Sequence, residues 1–258
     1  MADTARHERL RTEFQRARGY WSPVWDMLLE QSPDFFEAYL DLSSVPWRGG
    51  TLPPKVKELI YIAIDSSTTH LYSKGTRVHI RNALRHGATR EEILEVLQLT
   101  SVLGIHTISE GVPAMLDELR EAGKEPEAVS APLTARQEAL KAAFIEARGY
   151  WSPMWDGVLA LAPDFFEAYL RFSSVPWRGG PLEPKVKELI YVAIDAATTH
   201  LYDKGTRIHM ANAIRHGATA AEVMEVLQLV SVLGIHTMTD SLPILEEECK
   251  AAGAERTK

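Results

Sequence analysis

The chain has a single cysteine among its 258 residues, which leaves almost no basis for thiol chemistry. One cysteine forms neither an intrachain disulfide nor a dithiol redox pair. Cys249 also lies between a run of three glutamates and Lys250, and acidic neighbours disfavour the reactive thiolate. The scarcity of cysteine argues against a disulfide-stabilised scaffold and against a thiol-dependent enzyme.

A basic surface and a long apolar run are also lacking. The formal net charge is −7, and no block of lysines and arginines with interleaved aromatics occurs, which argues against nucleic-acid binding. No run of about 18 apolar residues occurs, so we expect no membrane span. The first residues are polar and lack the apolar centre of a signal peptide. We therefore expect a cytoplasmic protein.

The sequence contains an internal repeat of one module. A shift of 130 positions superimposes Arg18–Pro23 on Arg148–Pro153, and the match continues without a gap to Thr107 and Thr237. About three-quarters of the positions in this span are identical, which marks an internal repeat. Two prolines and a lack of periodicity are typical of a linker between the copies. The repeat predicts a first module of residues 1–121, a linker of residues 122–134 and a second module of residues 135–258.

Helix signals dominate the first part of each module. In the first copy, Arg6–Arg18 predicts a polar, exposed helix that ends at Gly19. Ser22 and Ser32 each precede a proline, and this pair of residue types is typical of a helix start. Val45–Gly50 contains one proline and two glycines, so we expect a loop there.

The second part of the module predicts two helices joined by a turn. Pro54 opens a long apolar helix that runs toward His70. Gly75 marks the turn, a second helix follows over residues 76–86, and Gly87 supplies its C-terminal stop.

The last helix of the module starts at a capping box. Thr89 has a glutamate three residues later, and Thr219 repeats the pattern in the second copy. The following helix, as far as Ile105, is apolar nearly all round, so it should be buried. The β-branched residues lie at helical spacing, without the alternation typical of strands. We therefore expect an all-α protein in which two tandem helical modules pack around a shared core.

One repeated segment carries the residue types of an active site. Glu58, His70 and His79 lie close together in the sequence, on a helix, a turn and a second helix. Carboxylates and imidazoles serve as general acids and bases or as metal ligands. On the first helix, Asp65 is seven residues beyond Glu58 and shares its face. The predicted catalytic set is Glu58, His70 and His79, with Glu188, His200 and His209 in the second copy.

The same segment offers groups that could bind a substrate or a metal ion. Arg77 and its repeat Arg207 could hold a substrate carboxylate through bidentate hydrogen bonds. His106 and His236 each have an acidic residue four positions later, a spacing that suits a metal or a hydrogen-bonded pair equally. The predicted substrate-binding residues are Arg77, Arg207, Tyr72, Tyr202, Trp47 and Trp177. The predicted ligands of a divalent metal ion are His70, His79, His200 and His209.

The motifs resemble those of the carboxymuconolactone decarboxylase/AhpD-like family. The resemblance lies in Trp47–Gly50, in Pro54–Ile60 and in His79–Leu97, which contains a His-Gly-Ala-Thr run followed by Glu-Glu-Ile. It covers residues 35–118 and again 165–248. It implies an all-α fold, an active site at the interface of two modules, and assembly into homo-oligomers, with trimers favoured and dimers as the alternative.

The resemblance also separates two kinds of chemistry. The peroxidase branch of the family uses a Cys-x-x-Cys pair beginning twelve residues after its glutamate, but twelve residues after Glu58 stands His70. A cysteine-dependent hydroperoxide reductase is therefore excluded. The decarboxylase branch lacks the cysteines, keeps a histidine that corresponds to His79, and acts on a carboxylated unsaturated lactone. The Thr-Thr-His-Leu-Tyr segment that contains His70 is an insertion relative to that branch.

Three functions remain open from the sequence. The first is a small-molecule decarboxylase, lyase or isomerase that uses the Glu/His groups as acid and base, with or without a divalent metal. The second is a metal-binding protein with His70 and His79 as ligands. The third is a non-catalytic oligomeric protein of the same fold, which would have an apolar pocket and imidazoles engaged only by protein groups.

Overall fold

The computed structural model describes residues 2–256, and all regular structure within that range is helical. The all-α prediction is therefore confirmed. Four short 3-10 helices accompany the α-helices, at Val102–Ile105, Pro153–Trp155, Val175–Trp177 and Val232–Ile235. The α-helices are α1 Ala2–Arg18, α2 Pro23–Gln31, α3 Pro33–Gly49, α4 Pro54–Ser66, α5 Ser73–Arg85, α6 Arg90–Ser101, α7 His106–Glu121, α8 Glu127–Ser130, α9 Ala135–Arg148, α10 Asp156–Leu161, α11 Pro163–Ser173, α12 Pro184–Ala196, α13 Asp203–Arg215, α14 Ala220–Ser231 and α15 His236–Arg256.

The helices form two compact units that differ from the two sequence modules. The first unit comprises Met1–Thr89 and Lys185–Lys258, and the second comprises Arg90–Pro184. Each unit thus takes helices from both copies of the repeat. The segment predicted as a linker, residues 122–134, contains the short helix α8.

Residues of both copies share a core within the first unit. Helix α15 contacts α2, and α14 contacts both α3 and α4. Leu242 joins Phe14, Trp25 and Phe36 in one buried cluster, in which the ring centroids of Phe14 and Trp25 are 4.9 Å apart. This unit therefore places the end of the second copy against the start of the first.

The second unit repeats the arrangement with the copies exchanged. Helix α10 contacts α7, and α6 contacts the 3-10 helix at Val175–Trp177. Its buried cluster centres on Phe144, Trp155 and Phe166, with Ile108 of the first copy packed against it. Each copy of the repeat therefore supplies helices to both cores.

The expected polar helix α1 forms and most of its residues are at least partly exposed, but two of them are buried. Leu10 and Phe14 are each only 1% exposed, since they face the core of the first unit. Two buried residues one turn apart are enough to fasten an otherwise polar helix. Gly19 ends this helix in the left-handed region, at φ 71°, as expected.

The loop predicted over Val45–Gly50 is wrong for the first copy. Helix α3 continues through Pro46 to Gly49. The freed carbonyl of Pro46 accepts a hydrogen bond from the buried Nζ of Lys57, which satisfies a group that the helix end leaves without a partner. In the second copy the same motif forms a separate 3-10 helix after α11.

Three other helix boundaries also differ from the expectations. Helix α4 ends at Ser66 rather than near His70, and α5 begins at Ser73, so Gly75 lies inside α5 and not in the turn. The apolar helix α6 ends at Ser101 and a 3-10 helix continues to Ile105. The C-terminal stop at Gly87 (φ 82°) and the capping box of Thr219 are confirmed.

One stretch, residues 220–253, is long and apolar enough to cross a membrane by length and composition alone. The core helix of a soluble protein passes the same test, and Val226, Leu229 and Leu233 of this stretch are buried. The cytoplasmic location and the assembly into homo-oligomers stay predictions. Phe35, Leu42 and Val45 of α3 are exposed apolar side chains of the kind that an oligomer interface would cover.

Candidate active site

Glu58 and His79 form a hydrogen-bonded pair in the first unit. Glu58 lies on the apolar helix α4 and is buried, while His79 lies one helix later on α5 and is partly exposed. His79 Nδ1 is 2.6 Å from Glu58 Oε2, and Asn82 donates a hydrogen bond to Glu58 Oε1 at 3.3 Å. The ring of His79 also stacks on Tyr61, with centroids 4.5 Å apart. These contacts fix the imidazole and direct Nε2 away from Glu58.

Asp65 lies on the Nε2 side of the His79 ring. Its Oδ2 lies 3.7 Å from His79 Nε2, too far for a direct hydrogen bond but close enough for a charge to be felt. Asp65 is fully buried, and neither of its carboxyl oxygens accepts a hydrogen bond from the described residues. Burial raises the pKa of Asp65 to about 7, against the lowering effect of His79.

The turn between α4 and α5 presents His70 to a residue of the second copy. His70 Nε2 is 2.7 Å from Nδ1 of His236, the first residue of α15. His236 Nδ1 is also 3.8 Å from Asp65 Oδ1. Burial lowers the pKa of both imidazoles, that of His236 to about 3 with a further contribution from His70. Both rings are therefore neutral at pH 7, and one ring donates the shared proton while the other accepts it.

Tyr72 holds this pair of imidazoles from one side. Its ring stacks on His236 with centroids 3.8 Å apart, and its hydroxyl is 2.7 Å from Thr239 Oγ1. Its backbone N–H donates to the carbonyl oxygen of Asp65 at 2.7 Å. The tight turn requires Leu71 to adopt a left-handed conformation, at φ 53°, which is uncommon for a residue other than glycine.

Asp65, His70 and His236 together offer metal-ligand atoms within 4.8 Å of one another, so they could hold a metal ion. This set differs from the predicted one, in which His70 was paired with His79. The structure pairs His70 with His236, and it directs His79 toward Glu58 and Asp65.

A cavity of about 230 Å³ opens beside these groups. It is smaller than the roughly 300–1,000 Å³ typical of sites for drug-sized ligands, so it suits a small molecule. Aromatic rings supply much of its wall, and charged and polar side chains also line it. Its lining includes Arg18, Trp47, Glu58, Tyr72, His79 and His236.

One arginine faces the cavity, and it is not the predicted one. Arg18 is part of the cavity wall, and its Nη1 is buried without a hydrogen-bond acceptor among the described residues. Its Nη2 donates to the carbonyl oxygen of Ser43 at 2.6 Å, and its guanidinium lies 5.5 Å from the ring centroid of Trp47. Arg77 is exposed and borders a separate, open surface depression with Leu71 and Ile80.

The second copy builds a matching pair on α12 and α13. Glu188 Oε2 lies 2.6 Å from His209 Nδ1, and Asn212 donates to Glu188 Oε1 at 3.1 Å. His209 Nε2 is 3.9 Å from Asp195 Oδ2, and burial raises the pKa of Asp195 to about 7.

The other predicted residues of the second copy lie in varied surroundings. Arg207 is exposed and paired with Asp203 at 2.8 Å, whereas Tyr202 is buried. The ring centroids of His200 and Tyr202 are 5.9 Å apart. In the second unit, the guanidinium of Arg148 lies 5.5 Å from the ring of Trp177. The roles assigned to these residues from the sequence stay predictions.

Sequence reasoning did not place Arg18, Asp65 or His236 in the site. Helical periodicity had put Asp65 on the same face as Glu58, and this was the available signal. For His236, the sequence offers only its spacing from Asp240. In the structure, Asp240 Oδ1 accepts a hydrogen bond from Lys74 at 2.8 Å. Arg18 lies at the end of a helix whose sequence shows no sign of a site.

Comparison with known proteins places these features in a family. The model of the Carboxymuconolactone decarboxylase family matches residues 33–125 and 163–247. A crystal structure from Burkholderia xenovorans LB400, of a protein proposed to be a gamma-carboxymuconolactone decarboxylase subunit, is 49% identical and superposes with a TM-score of 0.91. The match covers 95% of this chain and 98% of that one. A search of curated proteins found no match. Since the family model matches more than half of the sequence, the chain belongs to the carboxymuconolactone decarboxylase family.

Proposed function

We propose that the chain is an acid–base enzyme that decarboxylates a small, carboxylated unsaturated lactone of the gamma-carboxymuconolactone type. The observation that carries the proposal is the Glu58–His79 pair, which is fixed at 2.6 Å and lines a small cavity. The proposed activity of the Burkholderia xenovorans relative supports the same class of reaction.

The chemistry needs a proton donor placed beside the dienolate carbon that takes up a proton after CO₂ is lost. When the carbon–carbon bond to the carboxylate breaks, its electron pair stays on the substrate as a dienolate. His79 in its protonated form then delivers the Nε2 proton to carbon and becomes neutral. Glu58 holds Nδ1–H throughout, so the ring keeps one orientation while Nε2 exchanges its proton.

The cavity wall supplies the remaining functions. The free Nη1 of Arg18 can donate to a substrate carboxylate, and such charge-assisted hydrogen bonds are stronger than neutral ones. The rings of Trp47 and Tyr61 also line the cavity and supply apolar contact for an unsaturated ring.

The test is turnover of gamma-carboxymuconolactone, followed by release of CO₂. The wild-type chain should convert it, and a His79→Gln/His209→Gln double variant should lose about 10²–10⁴-fold in kcat while its circular dichroism stays helical. A double variant that keeps wild-type turnover would contradict the acid–base role.

A substrate that binds the wild-type chain without reacting would contradict the decarboxylase assignment. That outcome would favour the non-catalytic binding protein of the same fold. The double variant would then bind as tightly as the wild type, because the imidazoles would contribute no chemical step.

A further inference from the structure

The cluster of Asp65, His70 and His236 brings three metal-ligand atoms together, and the proposed decarboxylation does not use them. We infer that these three side chains bind one divalent first-row transition-metal ion of the zinc or iron(II) class. The inference stands on the cluster itself, and its test is independent of turnover.

The Asp65 carboxyl group is the first feature that points to a bound cation. It is fully buried, yet no described residue donates a hydrogen bond to either oxygen. Buried polar groups in folded proteins are nearly always satisfied, and a buried carboxyl group without a partner is costly. A cation between Asp65 Oδ1 and the two imidazoles would satisfy it.

Two imidazole nitrogen atoms converge beside Asp65. His70 reaches the cluster from a turn and His236 from the first residue of α15, yet His70 Nε2 and His236 Nδ1 are 2.7 Å apart. Two ligand nitrogens about 2.0–2.1 Å from a tetrahedral ion lie about 3.3 Å from each other. A small rotation of either ring would therefore widen the distance between the two nitrogens enough for both to bind one ion in place of their shared hydrogen bond.

The surrounding structure holds the three candidate ligands in place. The backbone of Tyr72 is tied to the carbonyl of Asp65, and its ring stacks on His236. Leu71 keeps a left-handed conformation, which costs free energy. Such a conformation persists only where the surrounding structure enforces it. Gly75 leaves room for Asp65, since a Cβ atom there would lie 2.0 Å from Asp65 Oδ2.

The ligand set limits which ion would bind. Two imidazoles and one carboxylate suit zinc or iron(II), while magnesium and calcium prefer all-oxygen sites. Three protein ligands leave at least one position for water or for an oxygen atom of a bound molecule. His236 belongs to the wall of the 230 Å³ cavity, so such a molecule would lie in that cavity.

The experiment uses the untagged full-length chain, stripped with a chelator and titrated with Co²⁺ alone and with Zn²⁺ alone. Co²⁺ should produce visible ligand-field absorption that Zn²⁺ displaces. The His236→Ala variant should bind one ion per chain fewer than the wild type. His70→Ala, which changes a turn rather than a helix, should show the same loss and serves as a second variant if His236→Ala folds poorly.

His86→Ala is the matched control, because His86 is exposed in the same unit and should leave the number of bound ions unchanged. Zn²⁺ at a hundredfold excess over its Kd should raise the Tm of the wild type by roughly 5–10 °C, and this rise should be smaller in His236→Ala. The inference is overturned if the stripped wild type binds neither ion, or if His236→Ala and His70→Ala bind as many ions as the wild type.

Discussion

Lys57 of the first copy and Glu225 of the second form a buried ion pair, with Nζ 2.6 Å from Oε1 and both side chains only 4% exposed. Glu225 Oε2 accepts hydrogen bonds from the backbone N–H groups of Thr51 and Leu52 at 2.6 and 2.9 Å. Burial alone would raise the pKa of Glu225, but the hydrogen bonds from Lys57 and from these amides lower it overall. The pair fastens α14 to the N-terminal end of α4, the helix that carries Glu58 and Asp65.

We expect Glu225→Gln to destabilise the first unit by about 3 kcal/mol, because it leaves the ammonium group of Lys57 buried without its counter-charge. The free energy of unfolding from urea melts measures the loss. The control is Asp203→Asn, which breaks the exposed pair with Arg207 and should change stability much less. Equal effects of the two substitutions would show that the buried pair contributes nothing special.

We expect Gly75→Ala to disrupt the candidate site. A Cβ atom at this position would lie 2.0 Å from Asp65 Oδ2 and 2.5 Å from the ring of Tyr72, so both side chains must move. Overpacking of this kind typically costs 1–3 kcal/mol, so Tm should fall and turnover should be lost. Thermal melts and the CO₂ assay measure the two effects.

Gly49→Ala is the matched control for this substitution. It lies in α3 of the same unit, and a Cβ atom there meets nothing within 4 Å. Stability should be unchanged or slightly higher, because alanine is the better helix former. A Gly75→Ala variant as stable and as active as Gly49→Ala would mean that the close approach of Asp65 is not required.

The sequence was sufficient to predict most of the fold. Apolar residues at helical spacing and proline or glycine at helix ends are local signals, and they predicted α2, α4, α6 and the all-α class. The C-terminal turn of α3 was missed because the reason for it is not local. Lys57, eleven residues later, donates a hydrogen bond to the Pro46 carbonyl near this helix end, and the same motif in the second copy forms a different helix.

Only the part of the candidate site that lies within one copy of the repeat was predictable from the sequence. Glu58 and His79 are 21 residues apart, and family motifs mark both. His70 and His236 are 166 residues apart, so their pairing depends on how the two copies interleave. No periodicity within one copy carries that information, which is why His70 was grouped with His79 instead.

We expect Asp195 to lower the stability of the chain as the pH rises from about 4 to about 7. Its pKa is raised to about 7 by burial, in spite of His209, while the unfolded chain releases this proton near pH 4. Between these values the folded state holds a proton that the unfolded state has lost, so a rise in pH favours unfolding. This loss of stability is complete once the pH is above the pKa of Asp195 in the folded chain.

Asp195→Asn should remove this dependence. The stability of the variant relative to the wild type should rise by roughly 2–3 kcal/mol between pH 5 and pH 8. Urea melts at the two pH values measure the change, with the exposed Asp203→Asn as the control. A difference that is constant with pH would show that Asp195 is ionised in the folded chain at neutral pH.

Two arginines are candidates for binding the substrate carboxylate, Arg18 from the structure and Arg77 from the sequence. Arg18 faces the cavity with a buried Nη1 that has no acceptor among the described residues, whereas Arg77 is exposed outside the cavity. Loss of a hydrogen bond between charged groups costs about 1.5–3 kcal/mol, so Arg18→Met should raise KM by roughly 10- to 100-fold. Because Arg18 binds the substrate and takes no part in proton transfer, kcat should change much less.

Arg77→Met is the matched control for Arg18→Met, and its KM should stay within about twofold of the wild-type value. Steady-state kinetics with gamma-carboxymuconolactone measure both variants, and thermal melts check that each is folded. The reverse result, a large rise in KM for Arg77→Met alone, would restore the sequence-based assignment. It would also mean that the substrate binds in the open depression beside Leu71 and not in the cavity that contains His79, so the Glu58–His79 pair could not be the proton donor.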